Sequence, residues 1–228
     1  MKYLSLSLAF VSLACMVHAQ VFLDENFDSG IPAGWTIDDG GDSNDTWHGT
    51  NDYGGSTLDG SAFAIVDSDD AGSVDMDESL ESPAVNTNGY TYYFLEFDQY
   101  FNKFGSEIAD VDVWDGSAWQ NVASFSGSDV GDWGAPDHQN IDITAHANAN
   151  LKVRFHYYNA NWDWYWAVDN VSVTGSNTPP AVSYCSSTFS NTTDDWITNV
   201  SFNTIDNTTG QEGANSYGDY TSISTIVD

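Results

Sequence analysis

Hydrophobic and polar side chains alternate along the segment from residue 90 to residue 101. One face of the extended segment carries Tyr93, Leu95, Phe97 and Phe101, and the other carries Glu96, Asp98 and Tyr100. Successive side chains of a β-strand point to opposite faces of the sheet. The pattern therefore predicts a strand with one face in a core and one face in solvent.

Shorter strand-like runs recur along the chain between clusters of Gly, Asp and Asn. Predicted strands cover residues 21–27, 35–37, 62–66, 90–104, 108–114, 119–125, 138–143, 151–158 and 166–173. No segment has convincing helical periodicity. Many short strands with frequent turn signals are typical of a two-sheet sandwich, so we predict an all-β fold.

The charge balance is extreme, with 34 acidic residues against 4 basic ones and a formal net charge of −30. Of the acids 28 are Asp and 6 are Glu, which favours turns over helical surfaces. Such a chain repels phosphate backbones and anionic lipids, so nucleic acid is excluded as a partner. The charge suits saline surroundings or bound divalent cations, and solvation of the surface alone explains most of these residues.

The N-terminal residues have the pattern of a secretory signal peptide. A basic residue precedes an apolar run over 4–17, which is too short to span a bilayer, and Val17-His18-Ala19 suits a signal peptidase. We expect residues 1–19 to be removed, so that the mature protein is secreted or held at the cell surface. A lipoprotein interpretation through Cys15 is the weaker alternative. No later apolar stretch is long enough to predict membrane insertion.

Residues 176–183 contain a proline pair and predict a stiff linker. The segment 184–228 is rich in Ser, Thr and Asn and offers two strand candidates, 196–202 and 221–227. It has too little apolar material for its own core, so we predict a second β-rich domain that is cut short. Cys185 is left alone once the leader is removed, and is either free or paired beyond this segment; we favour the pairing.

A series of short motifs resembles a known domain family. In chain order they are residues 25–28 (ENFD), 31–35 (IPAGW), 64–72 (AIVDSDDAG), 78–83 (ESLESP), 95–98 (LEFD), 111–119 (VDVWDGSAW), 154–158 (RFHYY) and 166–173 (WAVDNVSV). Together they resemble the cleaved-adhesin and choice-of-anchor J domains, which are jelly-roll sandwiches related to MAM domains. Domains of these two kinds are common in secreted proteins of Bacteroidetes-type bacteria. The motifs at 184–185 (YC), 195–197 (DWI) and 217–221 (YGDYT) resemble the start of a GEVED domain.

The resemblance implies a jelly-roll β-sandwich over residues 20–175 and the N-terminal part of a GEVED-like domain over 184–228. It also implies calcium, which cleaved-adhesin domains bind. Glu25 and Asp28 belong to the opening strand and Asp169 to the closing strand, which jelly rolls commonly bring together. Carried over by position, Glu25 and Asp169 are the best pair of ligands. The alternative is that these acids cap turns or accept hydrogen bonds from backbone amides.

A second candidate for calcium is an Asp-rich loop. Asp67, Asp69, Gly72 and Glu78 match the first, third, sixth and twelfth positions of a calcium loop, although Ala71 occupies the fifth. Calcium prefers several oxygen ligands, which such loops supply. Strands flank the segment, so it is not an EF-hand, and the spacing also arises by chance in so Asp-rich a chain.

Three tryptophans alternate with polar residues before the last predicted strand. In an extended chain Trp162, Trp164 and Trp166 share a face, and indole faces stack against sugar C–H surfaces. Asn161 and Asp163 are suitably placed to bind hydroxyl groups. The alternative is that the indoles fill the core; we assign Trp166 to the core and leave both assignments open for Trp162 and Trp164.

The sequence offers little for catalysis. Glu96 and Asp98 share a strand face as in some jelly-roll glycosidases, but Tyr100 and Phe101 stand where those enzymes have their general acid. The zinc-binding His-Glu-x-x-His pattern, the Gly-x-Ser-x-Gly elbow and phosphate-binding glycine loops are all missing from the sequence.

The sequence therefore predicts a non-catalytic extracellular module that is stabilised by calcium and binds a glycan or a protein. One alternative is an ancillary module of a larger secreted hydrolase, such as a protease or a polysaccharide-degrading enzyme. Another is a structural spacer in a cell-surface adhesin.

Overall fold

A computed structural model describes residues 19–41, 45–179, 199–202 and 205–208. The chain divides into two compact units, 1–180 and 181–228. Residues 1–18 of the expected leader, Cys185 and the strand candidate 221–227 lie outside the described residues. No helix among the described residues is long and apolar enough to span a membrane.

Nearly all of the regular secondary structure in the described part of the first unit is β-strand. In chain order they are β1 (Gln20–Glu25), β2 (Thr36–Asp39), β3 (His48–Thr50), β4 (Phe63–Asp67), β5 (Met76–Glu81), β6 (Tyr92–Phe101), β7 (Ile108–Trp114), β8 (Trp119–Phe125), β9 (Asp137–Asp142), β10 (Val153–Ala160) and β11 (Tyr165–Ser176). One short helix, α1 (Ser68–Ala71), follows β4, and a single 3-10 turn, Thr144–His146, follows β9. The all-β prediction is confirmed.

The strands form two antiparallel sheets. The first has the order β3-β4-β11-β6-β9, with β1 also paired to β11, and the second has the order β2-β5-β10-β7-β8. One core of buried side chains from both sheets fills the space between them. This is the predicted jelly-roll sandwich, in which apolar side chains of two sheets interdigitate.

The longest strand, β11, organises the first sheet. Its first half pairs with β4, its second half pairs with β1, and β6 follows it on the other side. The register against β6 shifts between Asp169 and Ser172, and Asn170 has a φ of 51°. This bulge lies where the pairing of β11 changes from β4 to β1, and it turns the side chains at that junction out of the regular pleat.

The core is dominated by aromatic rings around Trp166. This residue is fully buried, and its ring contacts Trp47 and Phe155 at centroid distances of 5.4 and 5.6 Å. Its indole nitrogen donates to Oε1 of Gln99 over 3.0 Å, so the polar edge of the ring is satisfied inside the core. The assignment of Trp166 to the core is confirmed.

The outer face of the first sheet is also covered. Tyr100, which the alternation places on the polar face of β6, is buried in a second cluster on that face. Trp133, from the loop before β9, stacks on Tyr53 and Tyr165 at centroid distances of 5.7 and 5.4 Å. Loops thus cover a face that the strand pattern predicts to meet solvent.

Strand β5 is absent from the predicted strands, although 78–83 was recognised as a family motif. Its sequence MDESLE holds three acids in six residues and lacks the apolar signal of a strand. Glu78, the twelfth position of the candidate calcium loop, lies inside this strand with its side chain buried between Met76 and Leu80. The segment forms a strand because it pairs with β10 on one side and with β2 on the other, and these partners are distant in the sequence.

The second unit contributes one described hairpin. Strand β12 (Asn199–Phe202) pairs antiparallel with β13 (Ile205–Thr208). The first lies within the strand candidate 196–202, whereas the second was not predicted.

Replacement of Trp166 by Ala should lower the free energy of unfolding by about 3–5 kcal/mol, because it leaves a cavity in the core and removes the donor to Oε1 of Gln99. Urea denaturation followed by far-UV circular dichroism measures the loss. Trp162→Ala, which removes an indole of the same size from the surface, should change stability by less than about 0.5 kcal/mol. Equal losses in the two variants would contradict the assignment of Trp166 to the core.

Candidate ligand-binding end of the sandwich

Two loops meet at one end of the sandwich. The loop 102–107 joins β6 to β7, and the loop 161–164 joins β10 to β11. A Cβ atom on Gly105 would overlap the carboxylate of Asp163, so the Asp163 side chain packs directly against the Gly105 backbone, where a larger residue would displace it. The ring of Phe104 meets that of Trp164 edge to face, with centroids 6.2 Å apart. We call the surface formed by Phe104, Trp162 and Trp164 the aromatic end.

The aromatic end exposes large rings to solvent. The exposed fractions are 71% for Phe104, 55% for Trp162 and 39% for Trp164. Neither Trp162 nor Trp164 therefore fills the core, and the alternative that was left open for them is wrong. Adjacent exposed aromatic side chains are typical of interaction sites rather than of ordinary surface.

The loop 161–164 is held by a buried carboxylate. Asp163 accepts the backbone N–H of Asn161 at Oδ2 over 3.1 Å, and its own N–H donates to Oγ of Ser68 over 3.2 Å. The amide of Asn161 donates to Oδ1 of Asp75 over 2.8 Å. Trp162 has a φ of 53°, which is strained for a bulky residue and persists only where the surroundings impose it. Asp163 thus fixes the backbone of the loop that carries Trp162.

The loop 102–107 is held in the same way. Buried Glu107 accepts the backbone N–H groups of Phe104 and Gly105, the latter over 2.7 Å, and forms an ion pair with Lys103 at 3.0 Å. The sequence does not single out this loop. The available signal was the spacing of four residues between Lys103 and Glu107, which is common to many surface pairs and did not distinguish this one.

An open groove of about 540 Å³ lies beside the loop 161–164. Its polar lining comprises Asp75, Asp77, Ser106, Tyr158, Asn159 and Asn161. Gly40 and Gly41 form part of its wall, and a Cβ on Gly40 would come within 2.6 Å of the carbonyl oxygen of Asp77. The groove keeps its shape because glycine allows this close approach. Of the predicted site residues, Asn161 lines the groove.

The floor of the groove is aromatic but carries fixed polar groups. The Tyr158 hydroxyl donates to Oδ2 of Asp110 over 3.0 Å, and burial followed by this bond raises the pKa of Tyr158 to about 12. Its ring stacks on His156 with centroids 4.5 Å apart, and Nε2 of His156 lies 2.5 Å from Oδ1 of Asp77. Asn159 has a φ of 56° and sits at a bulge between β10 and β5. Such a bulge redirects a side chain.

The acids of the predicted calcium loop bind protein groups. Asp67 caps the N-terminus of α1, with Oδ1 accepting the N–H of Asp69 over 2.8 Å and Oδ2 accepting the Tyr53 hydroxyl over 2.6 Å. Glu78 is buried and accepts the Thr46 hydroxyl at Oε2 over 2.7 Å. Burial raises the pKa of Glu78.

The opening strand ends in similar local bonds. Glu25 accepts the backbone N–H of Phe27 at Oε1 over 2.8 Å, and exposed Asp28 accepts the Asn26 amide over 2.8 Å. Glu25 lies opposite Val171 in β11, two positions beyond Asp169. Within the described ranges, no group of three or more His, Cys, Asp and Glu side chains is arranged to hold a metal ion.

Asp169 occupies the bulge of β11 and is completely buried. It accepts the N–H of Asn170 over 2.7 Å and the Ser61 hydroxyl over 3.2 Å. Burial, and then the charges of Asp59 and Asp98, raises the pKa of Asp169 to about 7. The amide of Asn170 bridges those two neighbours, donating to Asp59 over 3.0 Å and to Asp98 over 2.9 Å.

The two carboxylates of the β6 outer face are tied to β9. Glu96 accepts the Asn140 amide over 2.6 Å, and Asp98 lies 2.8 Å from Nδ1 of His138. Both pairs are direct cross-strand neighbours in the ladder between β6 and β9.

No family model matches the sequence, and no curated protein matches it. Among solved structures, the K1 cleaved-adhesin domain of Lys-gingipain from Porphyromonas gingivalis W83 is similar, with a TM-score of 0.54 and 20% identity over 66% of this chain and 96% of that domain. The K3 domain of the same protein has a TM-score of 0.53 and 18% identity over 69% and 99%. The sandwich therefore shares the fold of cleaved-adhesin domains, as the sequence motifs implied.

Asp169 should make the metal-free protein less stable as the pH rises. An ordinary Asp ionises near pH 4 in the unfolded chain, whereas Asp169 ionises near pH 7 in the folded chain. Its contribution to stability is therefore complete below about pH 4 and is lost as the pH rises from there through about 7. In buffer that contains a chelator, the free energy of unfolding of Asp169→Asn should rise relative to that of the unchanged protein between pH 4 and pH 8. The rise should be on the order of 3 kcal/mol.

Urea denaturation at a series of pH values measures this difference. Asp24→Asn, an exposed carboxylate of β1, is the control and should leave the pH dependence unchanged. Parallel pH profiles for the unchanged protein and Asp169→Asn would contradict the raised pKa of Asp169.

Proposed function

We propose that the sandwich is a secreted or cell-surface binding module without catalytic activity, and that it binds an extracellular glycan or protein at the aromatic end and the adjoining groove. The observation that carries this proposal is the exposure of Phe104, Trp162 and Trp164 on loops that are held rigid by buried carboxylates. A surface held in its binding conformation loses little entropy when a ligand binds.

Carbohydrate is the ligand that the side chains favour. Exposed indole faces pack against the C–H surfaces of sugar rings, and nearby amide and carboxylate groups bind hydroxyls. The groove supplies such groups from Asn159, Asn161 and Asp75. We further propose that the sandwich is a module of the cleaved-adhesin or choice-of-anchor J type, followed by a GEVED-like domain.

The lack of catalysis is supported by the position of the carboxyl groups. Asp169 has the raised pKa of a general acid, but it is fully buried and covered by the Ser61 hydroxyl. Glycoside hydrolysis requires two carboxyl groups that flank a bond of the substrate. A carboxyl that no substrate reaches does not protonate a leaving group.

Calcium binding remains part of the proposal, supported by two buried acids. Oε1 of Glu78 is buried and has no hydrogen-bond partner among the described residues, and burial disfavours its charge. Asp169 faces the like charges of Asp59 and Asp98. A cation at either carboxylate would supply the missing positive charge. Calcium completes such sites with backbone carbonyl oxygens and water.

Replacement of both Trp162 and Trp164 by Ala should abolish retention of the protein on a glycan array, because the stacking surface is removed. The melting temperature should fall by no more than a few degrees, since both rings are exposed. Val21→Ala, an exposed apolar side chain of β1 that is 47% accessible, is the control and should bind normally. Unchanged retention in the double variant would refute the aromatic end as the binding site.

Removal of calcium should lower the melting temperature of the protein by several degrees, because bound cations stabilise only the folded state. Differential scanning calorimetry with EDTA, and then with excess calcium or magnesium, measures the shift. Glu78→Gln and Asp169→Asn each remove one candidate ligand and should reduce the response to calcium if that carboxylate holds the ion. A transition that does not respond to EDTA or calcium would reject calcium stabilisation.

A further inference from the structure

The two carboxylates of the groove have unused hydrogen-bonding capacity. Asp75 accepts the Asn161 amide at Oδ1, and Asp77 lies against His156 at Oδ1. No described residue donates to Oδ2 of either group. A carboxylate only accepts hydrogen bonds, so a ligand that contacts these exposed oxygens binds them through N–H or O–H donors.

The cationic side chains that could offset these charges are engaged elsewhere. The described Lys and Arg residues form the ion pairs Lys103–Glu107, Lys152–Glu81 and Arg154–Asp112, with distances of 3.0, 3.1 and 2.7 Å. None of the three lines the groove. The basic group nearest its carboxylates is His156, which already contacts Asp77. An anionic ligand would therefore meet like charges with no Lys or Arg partner.

The remaining lining favours a sugar over a basic peptide. The hydroxyl of Tyr158 is used by Asp110 and one face of its ring is covered by His156, so the other ring face is the apolar surface that Tyr158 offers to the groove. The side chains of Asn159 and Asn161 offer both donors and acceptors, as vicinal sugar hydroxyls require. The volume of about 540 Å³ lies within the usual range for small-molecule sites.

We propose that the groove binds a polysaccharide segment that bears free amino groups, of the glucosamine type, and discriminates against chains that carry uronic acid or sulfate. The amines donate to Oδ2 of Asp75 and Asp77, and the sugar ring packs on Tyr158. This inference rests on the proposed function, since it names the class of ligand for the same site.

Isothermal titration calorimetry of the protein with three oligosaccharides of equal length tests the proposal. They are oligomers of glucosamine, N-acetylglucosamine and galacturonic acid, measured in low salt at a pH where the amine is protonated. The glucosamine oligomer should bind about tenfold more tightly than the N-acetyl oligomer, and the galacturonic acid oligomer should not bind measurably. Added salt should reduce the preference for the amine, because it screens charge.

Single substitutions assign the preference to the groove. Asp75→Asn and Asp77→Asn should each lower the affinity for the glucosamine oligomer about threefold or more and leave the N-acetyl oligomer unaffected. Asp24→Asn removes the same charge from β1 and should change neither affinity. An unchanged ratio in the Asp75 and Asp77 variants would overturn the proposal.

The outcomes separate this inference from the proposed function. If all three oligosaccharides bind equally, or the anionic one binds best, the charge selection is overturned while glycan binding stands. If a lysine oligomer binds as tightly as the glucosamine oligomer and is equally sensitive to Asp77→Asn, the groove recognises a basic peptide and the sugar assignment is overturned. If no oligosaccharide binds, and the Trp162 and Trp164 double variant behaves like the unchanged protein on the array, both proposals fail.

Discussion

Carboxylates that accept backbone N–H groups hold the aromatic end of this protein together. Glu107 accepts the N–H groups of its own loop, Asp163 accepts that of Asn161, and Asp67 caps the short helix that lies beside them. Each of these acids is buried. A buried carboxylate is stable only when donors surround it, and with 4 basic residues in the chain the backbone has to provide most of them.

This use of acids links the composition to the geometry of the surface. Backbone N–H groups bind Asp163 and Glu107, and Lys103 also pairs with Glu107, so these carboxylates fix their loops. Rings that would otherwise collapse onto the protein, such as Phe104 and Trp162, are instead held in solvent. Burial has the opposite effect at Asp169 and Glu78, where it raises the pKa values and the hydrogen bonds to each carboxylate offset only part of that increase. These are the positions where a proton or a cation would stabilise the fold.

Sequence reasoning succeeded where a local pattern reports directly on structure. The alternation in β6 identified its inward face, and Trp166 was assigned correctly to the core because it enters the last predicted strand. It failed at β5, whose three acids remove the apolar pattern of a strand. This strand forms because it pairs with a neighbour on each side. At Tyr100 it misjudged burial, because loops distant in the sequence cover the outer face of the first sheet.

By itself the sequence determined the class of fold, the sign of the surface charge and the family that the motifs resemble, since each follows from residue types and their spacing. Only the tertiary structure decided which tryptophans face solvent. It also decided that Asp163 is buried and holds its loop through hydrogen bonds to Asn161 and Ser68. It also brought three side chains into one groove, namely Asp75 from the turn before β5, Asp77 from β5 and Tyr158 from β10. The physical reason is that burial and proximity are set by strand pairing and loop packing between segments up to about one hundred residues apart, which local periodicity does not encode.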